Sequence, residues 1–201
     1  MTELILLRHG ETDFNRELRF QGHVDAPLNA TGRAQAGRLA GRLADEAIDF
    51  VVSSDLQRAR DTAAPLLALR ALPNRLDPSW REQAFGTLEG LLVAEVRQQH
   101  PALWAAWSRH DADTAPTGGE SYRTFHTRVL AALRSLAAAH AGARIAVFTH
   151  GGALDMVWRE LHGLPLAGPR ACEIPNTGLN RLRWADGQLE LLQWADTAHL
   201  D

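Results

Sequence analysis

Leu4-Ile5-Leu6-Leu7-Arg8-His9-Gly10 passes from an unbroken apolar run straight into a guanidinium, an imidazole and a glycine. An apolar run this short reads as a strand buried on both faces, the kind found in a parallel sheet covered by helices. The pattern returns at Ile145-Ala146-Val147-Phe148-Thr149-His150-Gly151. In open α/β sheets, ligands bind outside the carboxyl ends of the strands, beside helix N-termini that favour anions. A lone strand-end histidine is ordinarily a hydrogen-bonded structural residue. Two of them, each followed by glycine, point instead to one anion pocket with His9 and His150 facing each other across it.

Outward from these strands, Thr31 is expected to cap a helix carrying Leu39, Leu43 and Ala47 at helical spacing. Asp49 to Ser53 reads as a second strand, Asp55 to about Leu69 as a second helix, and Arg75 to Trp80 as a third strand despite Pro78. Glu89 to His110 reads as one or two helices interrupted at Pro101, followed by a loop from Asp111 to Gly119. A long amphipathic helix begins near Ser121, with Tyr122, Phe125, Val129, Leu133 and Leu136 on one face. Ala153 to His162 forms another, stopped by Gly163 and Pro165. Gly178–Trp184 and Gln188–Trp194 flank Asp186-Gly187, a hairpin signal.

The expected class is therefore α/β: a three-layer sandwich with a mostly parallel central sheet, an antiparallel C-terminal hairpin strand and helices on both faces. One domain spanning residues 1–201 is expected, with a helical insertion at about 89–120 that serves as a lid or as an ordinary packed subdomain.

The apolar share of 45% supports a sizeable core, and the net charge of −3 without a basic cluster argues against nucleic-acid or membrane partners. The 21 basic residues are all arginine, which excludes a P-loop lysine or a Schiff base and leaves Arg to bind any anion. Cys172 is the single cysteine, so neither a disulfide framework nor a cysteine-rich zinc site is expected. Met1 to Leu7 leads straight into a strand with no secretory pattern, so a cytoplasmic location is expected.

Leu7-Arg8-His9-Gly10-Glu11-Thr12 resembles the signature of the histidine phosphatase superfamily, the phosphoglycerate mutase-like enzymes. The similarity continues through Leu28–Ala36, Ser53–Ala63, Arg81-Glu82-Gln83-Ala84-Phe85-Gly86-Thr87-Leu88-Glu89-Gly90, Gly118–Ser121 and Thr149–Gly152, in the family's order. Asp55 stands where proline is common in that family, Leu88 where Trp is frequent and Asp61 where Gln is frequent. These departures touch fine specificity rather than the reaction.

The resemblance implies that His9 accepts the phosphoryl group and that Arg8, Arg58 and His150 complete the phosphate pocket. Such chemistry needs a neutral nucleophilic nitrogen whose ring partner is held by an acceptor, for which a backbone carbonyl in the Gly10 turn would serve. It also needs donors on the equatorial oxygens, expected from Arg8, Arg58 and a protonated His150. Glu82 matches the family's acid position and is expected to protonate the leaving alkoxide, kept protonated by the bound phosphate's like charge, then to activate water. The rival carboxylate, Glu11, is expected to be structural or a charge near the site, and Arg60 and Arg81 to lie on the surface or to support the site from behind. Asn15 and Gly151 are expected to line the pocket. Thr12, Gln21 and Gly22 are rim candidates for which packing serves equally well, and Trp104, Trp107, Arg109 and His110 form either a specificity shell or core.

Competing chemistries fail on their own requirements. Asp111-Ala112-Asp113-Thr114 lacks the preceding apolar strand of an aspartate phosphatase, and Cys172 has Gly178 where a cysteine phosphatase needs arginine. Ser121 lacks a second flanking glycine, and no histidine pair has zinc-helix spacing, so neither a metal nor another cofactor is expected. The expected function is hydrolysis of a small phosphorylated metabolite. A mutase returning phosphate to the substrate, or a non-catalytic phospholigand-binding protein, is the alternative.

Overall fold

The two strands that end in histidine lie side by side in the middle of the sheet. In the computed structural model, which describes residues 1–108 and 111–201, the chain runs β1 (Thr2–Arg8), α1 (Asp13–Arg16), α2 (Ala30–Arg42), β2 (Phe50–Ser53), α3 (Gln57–Leu69) and β3 (Asn74–Leu76). It continues through α4 (Val93–Gln99), α5 (Pro101–Ser108), α6 (Tyr122–Ala139), β4 (Arg144–Thr149), α7 (Gly151–Leu161), β5 (Leu179–Ala185) and β6 (Gln188–Asp196). Among the described residues the sheet has the order β3-β2-β4-β1-β5-β6. β1, β2, β3 and β4 pair in parallel, whereas β5 runs antiparallel to β1 and to β6. The expected class holds.

Side chains alternate across the sheet with the strand period of two. Leu4, Leu6, Val52, Ile145 and Val147 pack on one face with Phe125, Val129 and Leu133 of α6 and Met156 and Val157 of α7. Ile5, Leu7, Val51, Ala146 and Phe148 face the other way, against Leu39 of α2 and Leu66 of α3. Each fully buried Leu, Ile, Val or Phe stabilises the fold by about 1.5–3 kcal/mol. Arg8 pairs with Thr149 across β1 and β4, so His9 and His150 leave the sheet at the same level. The register creates the site.

Several element limits differ from the sequence expectation. The third strand is only Asn74–Leu76, exposed at the sheet edge; Asp77 then caps a 3₁₀ turn over Pro78–Trp80, accepting from Ser79 N at 2.9 Å. Pro78 has no N–H for a ladder, and Trp80 is drawn fully into the core. Helix α2 is capped by Asn29, whose Oδ1 accepts from Gly32 N at 2.8 Å, rather than by Thr31. The earlier start brings Gly32 against the loop after β1, where an added Cβ would lie 2.1 Å from Glu11 O. The short helix α1, capped by Thr12, escaped the sequence reading because four residues carry no periodicity. At β5–β6, Asp186 and Gly187 both have positive φ, as a two-residue primed hairpin turn requires.

The insertion breaks between α4 and α5 at Pro101, and its interior is a small separate cluster. Phe20, Leu88 and Val96 form it, with Phe85, Leu91, Val93 and Trp104 packed around them. Its backbone is stitched to the segment after α1 through Phe20 N→Leu91 O (3.0 Å), Gly90 N→Phe20 O (2.8 Å) and Val93 N→Leu18 O (3.0 Å). Leu88 is 1% exposed there. Among the described residues no helix is long and apolar enough to cross a membrane.

Candidate active site

At the end of β1 the backbone is pinned on both sides: His9 N donates to Thr149 O (3.0 Å), Thr177 N to Arg8 O (3.1 Å) and Asn176 Nδ2 to His9 O (2.9 Å). His9 is 2% exposed, and its Nδ1 lies 2.7 Å from Gly10 O. A carbonyl can only accept, so Nδ1 carries the ring proton and Nε2 presents the lone pair. Gly10 N in turn donates to Thr62 Oγ1 (2.9 Å), and that hydroxyl donates to Arg58 O one turn back in α3 (2.6 Å). The loop after β1 and helix α3 therefore share one hydroxyl.

Arg58 is fully buried, with Nη1 donating to Val24 O (2.9 Å) and Nη2 to Gly22 O (2.8 Å). Arg8 donates through Nη1 to Ile174 O at 2.6 Å. The rings of His9 and His150 stand 5.2 Å apart, centre to centre. His150 Nε2 lies 2.8 Å from Ser54 Oγ, which also receives Leu56 N at 3.4 Å. If Ser54 donates to Nε2, its buried proton is satisfied and His150 Nδ1 bears the hydrogen; the reverse arrangement strands the hydroxyl proton. Arg8 Nε, Arg58 Nε and His150 Nδ1 are all buried without a hydrogen-bond partner. An oxyanion beside His9 would satisfy all three.

Burial, and after it the guanidinium of Arg58, pushes both imidazoles well below the ordinary histidine range, Arg8 acting in the same direction. Burial likewise lowers Arg8 and Arg58 to about 10, which still leaves them charged at neutral pH. Burial, with the charge of Arg58 after it, therefore opposes the protonated His150 expected from sequence.

Glu82 follows the 3₁₀ turn and meets the N-terminus of α7, its Oε2 accepting from Gly152 N (2.9 Å) and its Oε1 from Gln83 N (3.0 Å). Its backbone carbonyl accepts from His23 Nε2 (2.9 Å) and Arg128 Nη2 (3.1 Å). Arg128 also holds Ser79 O and Arg81 O and forks onto Glu120 at 2.8 and 2.6 Å. Neither Arg128 nor Glu120 was given a role from sequence, although Glu120 lies in a block quoted for the family resemblance. Asp55 grips Arg81 at 2.7 and 2.6 Å, joining the end of β2 to the residue before Glu82. Arg60 lies outside the site, 3.9 Å from Asp25.

A cleft of about 510 Å³ opens above these residues, lined by Arg8, Glu11, Asn15, Gln21, Gly22, Glu82, Arg170 and Asn176 among others. Asn15 and Gln21 also hold Thr12, whose hydroxyl lies 3.1 Å from Asn15 Oδ1 and 3.0 Å from Gln21 Oε1. Thr12 itself is fully buried as the cap of α1 and does not line the cleft. Glu11 accepts from Asn29 Nδ2 at 2.8 Å. Gly151 backs Arg8 at the start of α7. Trp104 packs with the insertion cluster and lines a separate groove of about 660 Å³ with Leu18, Leu92 and Arg97, so it is no part of a specificity shell around this cleft. Arg109, His110 and the side chain of Trp107 lie outside the described residues. Among the described residues no group of three or more His, Cys, Asp or Glu could hold a metal ion.

The model of the histidine phosphatase superfamily, branch 1, matches residues 4–197. The chain belongs to that superfamily. A member of Arabidopsis thaliana, phosphoglycerate mutase-like protein 4, is 39% identical over 99% of this chain and 87% of its own length. The metal-independent phosphoserine phosphatase of the same plant is 34% identical, covering all of this chain and 84% of its own. Among solved structures, YhfR of Bacillus stearothermophilus superposes with a TM-score of 0.93 at 30% identity over the full length of both chains. A mycobacterial glucosyl-3-phosphoglycerate phosphatase in complex with VO3 gives 0.86 at 33% identity, covering 97% of this chain and 99% of its own. The superfamily expected from the ordered blocks is the one found.

Proposed function

We propose that this member of the superfamily, a phosphoric monoester hydrolase, cleaves a small phosphorylated metabolite through a phosphohistidine on His9. The supporting observation is His9 itself: Gly10 O holds Nδ1 and leaves the Nε2 lone pair free, while the charges of Arg58 and Arg8 disfavour protonation of the buried ring. Nε2 attacks phosphorus while the P–O bond to the alcohol breaks. Arg8, Arg58 and the Nδ1–H of His150 donate to the three non-bridging oxygens as charge spreads over them. Glu82, from the rim, gives its proton to the departing alkoxide and later takes one from the water that hydrolyses phospho-His9. The open cleft admits water to Glu82, which favours hydrolysis over phosphate return to the substrate. All five residues being present speaks against a binding protein without turnover.

A rapid-quench experiment with labelled substrate tests this: an acid-labile, base-stable label is expected on His9 during turnover, and label on Cys172 or an aspartate overturns the mechanism. Offering 3-phosphoglycerate in the same assay should release inorganic phosphate without isomerisation. We further propose that residues 1–201 act as one unit in which the insertion at about 89–120 forms a cleft wall through Val93.

A further inference from the structure

Three arginines besides Arg8 line the cleft, and two are committed to other partners: Arg16 to Asp13 at 3.0 Å, and Arg19 to Glu17 at 2.7 Å and to Gly90 O at 2.9 Å. Arg170 differs. Its nearest carboxylate among the described residues is Asp155, 3.9 Å away, and the other oxygen of Asp155 is held by the buried Arg159 at 3.0 Å.

Arg170 is nonetheless positioned with care. Arg159 donates to the carbonyls of Pro165 (2.6 Å), Ala167 (3.3 Å), Gly168 (2.8 Å) and Pro169 (2.9 Å), tying down the loop that ends at Arg170. A Cβ added to Gly151 would meet Arg8 Nε at 3.4 Å and Arg170 Nη1 at 3.8 Å, so both guanidiniums approach one point. Arg8 Nε has no partner there. After burial, Arg170 is the largest cause of the lowered pKa of Arg8, the mark of like charges held together. The phosphoryl-binding atoms of Arg58, His9 and His150 lie buried below, whereas Arg170 is 46% exposed at the rim with Glu82.

We infer that Arg170 recognises a carboxylate on the alcohol portion of the substrate, so that this enzyme selects phosphomonoesters carrying a second, carboxylic anion. The inference rests on the phosphatase reading of the same cleft. The bridging oxygen must face Glu82, and Glu82 and Arg170 line the same cleft, so the carbon skeleton leaves the phosphate pocket into the space that Arg170 borders. A planar guanidinium fork matches a carboxylate in two-point geometry, and a preformed loop loses little entropy on binding it.

The test uses hydrolysis of an aryl phosphate as reporter and measures competitive inhibition by two matched pairs: phosphoserine against phosphoethanolamine, and 3-phosphoglycerate against glycerol 3-phosphate. In the wild type the carboxylate-bearing member of each pair should bind about tenfold tighter or more, as a charge-assisted contact implies. Arg170→Gln should bring that ratio close to one, and Arg170→Lys should keep part of it. A wild-type ratio near one overturns the inference. So does a ratio that persists in Arg170→Gln, or equal weakening of all four probes, which would make Arg170 a ligand of the phosphoryl group. Failure of the wild type to hydrolyse the aryl phosphate would instead sink the phosphatase reading itself.

Discussion

At the residue scale the site depends on which nitrogen carries each proton. With Ser54 donating to His150 Nε2, Nδ1–H is a neutral donor, and removing the hydroxyl would free the ring to adopt the other tautomer. Ser54→Ala should lower kcat/KM about tenfold and move the His150 ring-nitrogen NMR shifts away from a pure Nδ1–H pattern. Ser54→Thr should restore both; a variant with lowered activity and an unchanged NMR pattern would assign Ser54 to packing alone. Glu82 has a different signature. Glu82→Gln keeps a hydrogen-bonding side chain at Gly152 N but cannot deliver and recover a proton, so alkyl phosphates should slow about 100-fold or more while an activated aryl phosphate loses far less in the phosphoryl-transfer step. Equal slowing in single-turnover transfer would count against Glu82 as the acid.

At the scale of elements, the segments that carry the candidate site are held by polar staples from their neighbours. Thr62 ties the β1 turn to α3, and Arg128 of α6 clamps three carbonyls of one four-residue stretch, those of Ser79, Arg81 and Glu82. Arg128 and Glu120 are both mostly buried, at 23% and 18% side-chain exposure. Arg128→Met should therefore strand the Glu120 carboxylate and release those carbonyls, destabilising the protein by about 2–4 kcal/mol in urea unfolding. It should also reduce kcat, because the segment bearing Glu82 loses its anchor. The double variant Arg128→Met/Glu120→Gln should recover part of the stability but not the positioning.

At the scale of the whole molecule, a phosphate pocket built before its ligand arrives costs acid stability. His9 and His150 have lowered pKa values in the folded chain and an ordinary 6.5 as reference, so below that pH the unfolded state binds protons that the native state excludes. Stability should therefore fall as pH drops below about 6.5, by up to about 1.4 kcal/mol per pH unit for each such histidine. His126 and His199 are shifted the same way and add to this window. The paired carboxylates Glu46, Asp55 and Glu120 have lowered values, so their contribution is lost only at more acid pH. Urea midpoints compared at pH 7.5 and 5.5 should show the loss, and His9→Asn/His150→Asn should flatten it in part. Phosphate at saturating concentration should raise the midpoint at both values.

The fold was legible because its centre is written in contiguous residues. The runs Leu4–Leu7 and Ile145–Phe148 are too apolar and too short to be anything but covered inner strands, and each carries its histidine with it. His9, Arg8, Arg58, Glu82 and His150 were nameable for the same reason: each belongs to a local block whose residue types match its chemistry. The limits of α2 and β3 were not, since Asn29 and Pro78 act through a cap and an edge that depend on neighbours. Trp104 stood open between a specificity shell and core until packing placed it with Phe20 and Leu88. By itself, then, the sequence determined the sheet and the superfamily and singled out His9 as the candidate nucleophile, because strand burial and strand-end chemistry are local properties. Only the tertiary structure decided how far burial lowers the pKa of His150, that Arg128 holds the backbone of Glu82 and that Arg170 borders the cleft. Those follow from desolvation and from contacts between segments far apart in the chain, which no local pattern encodes.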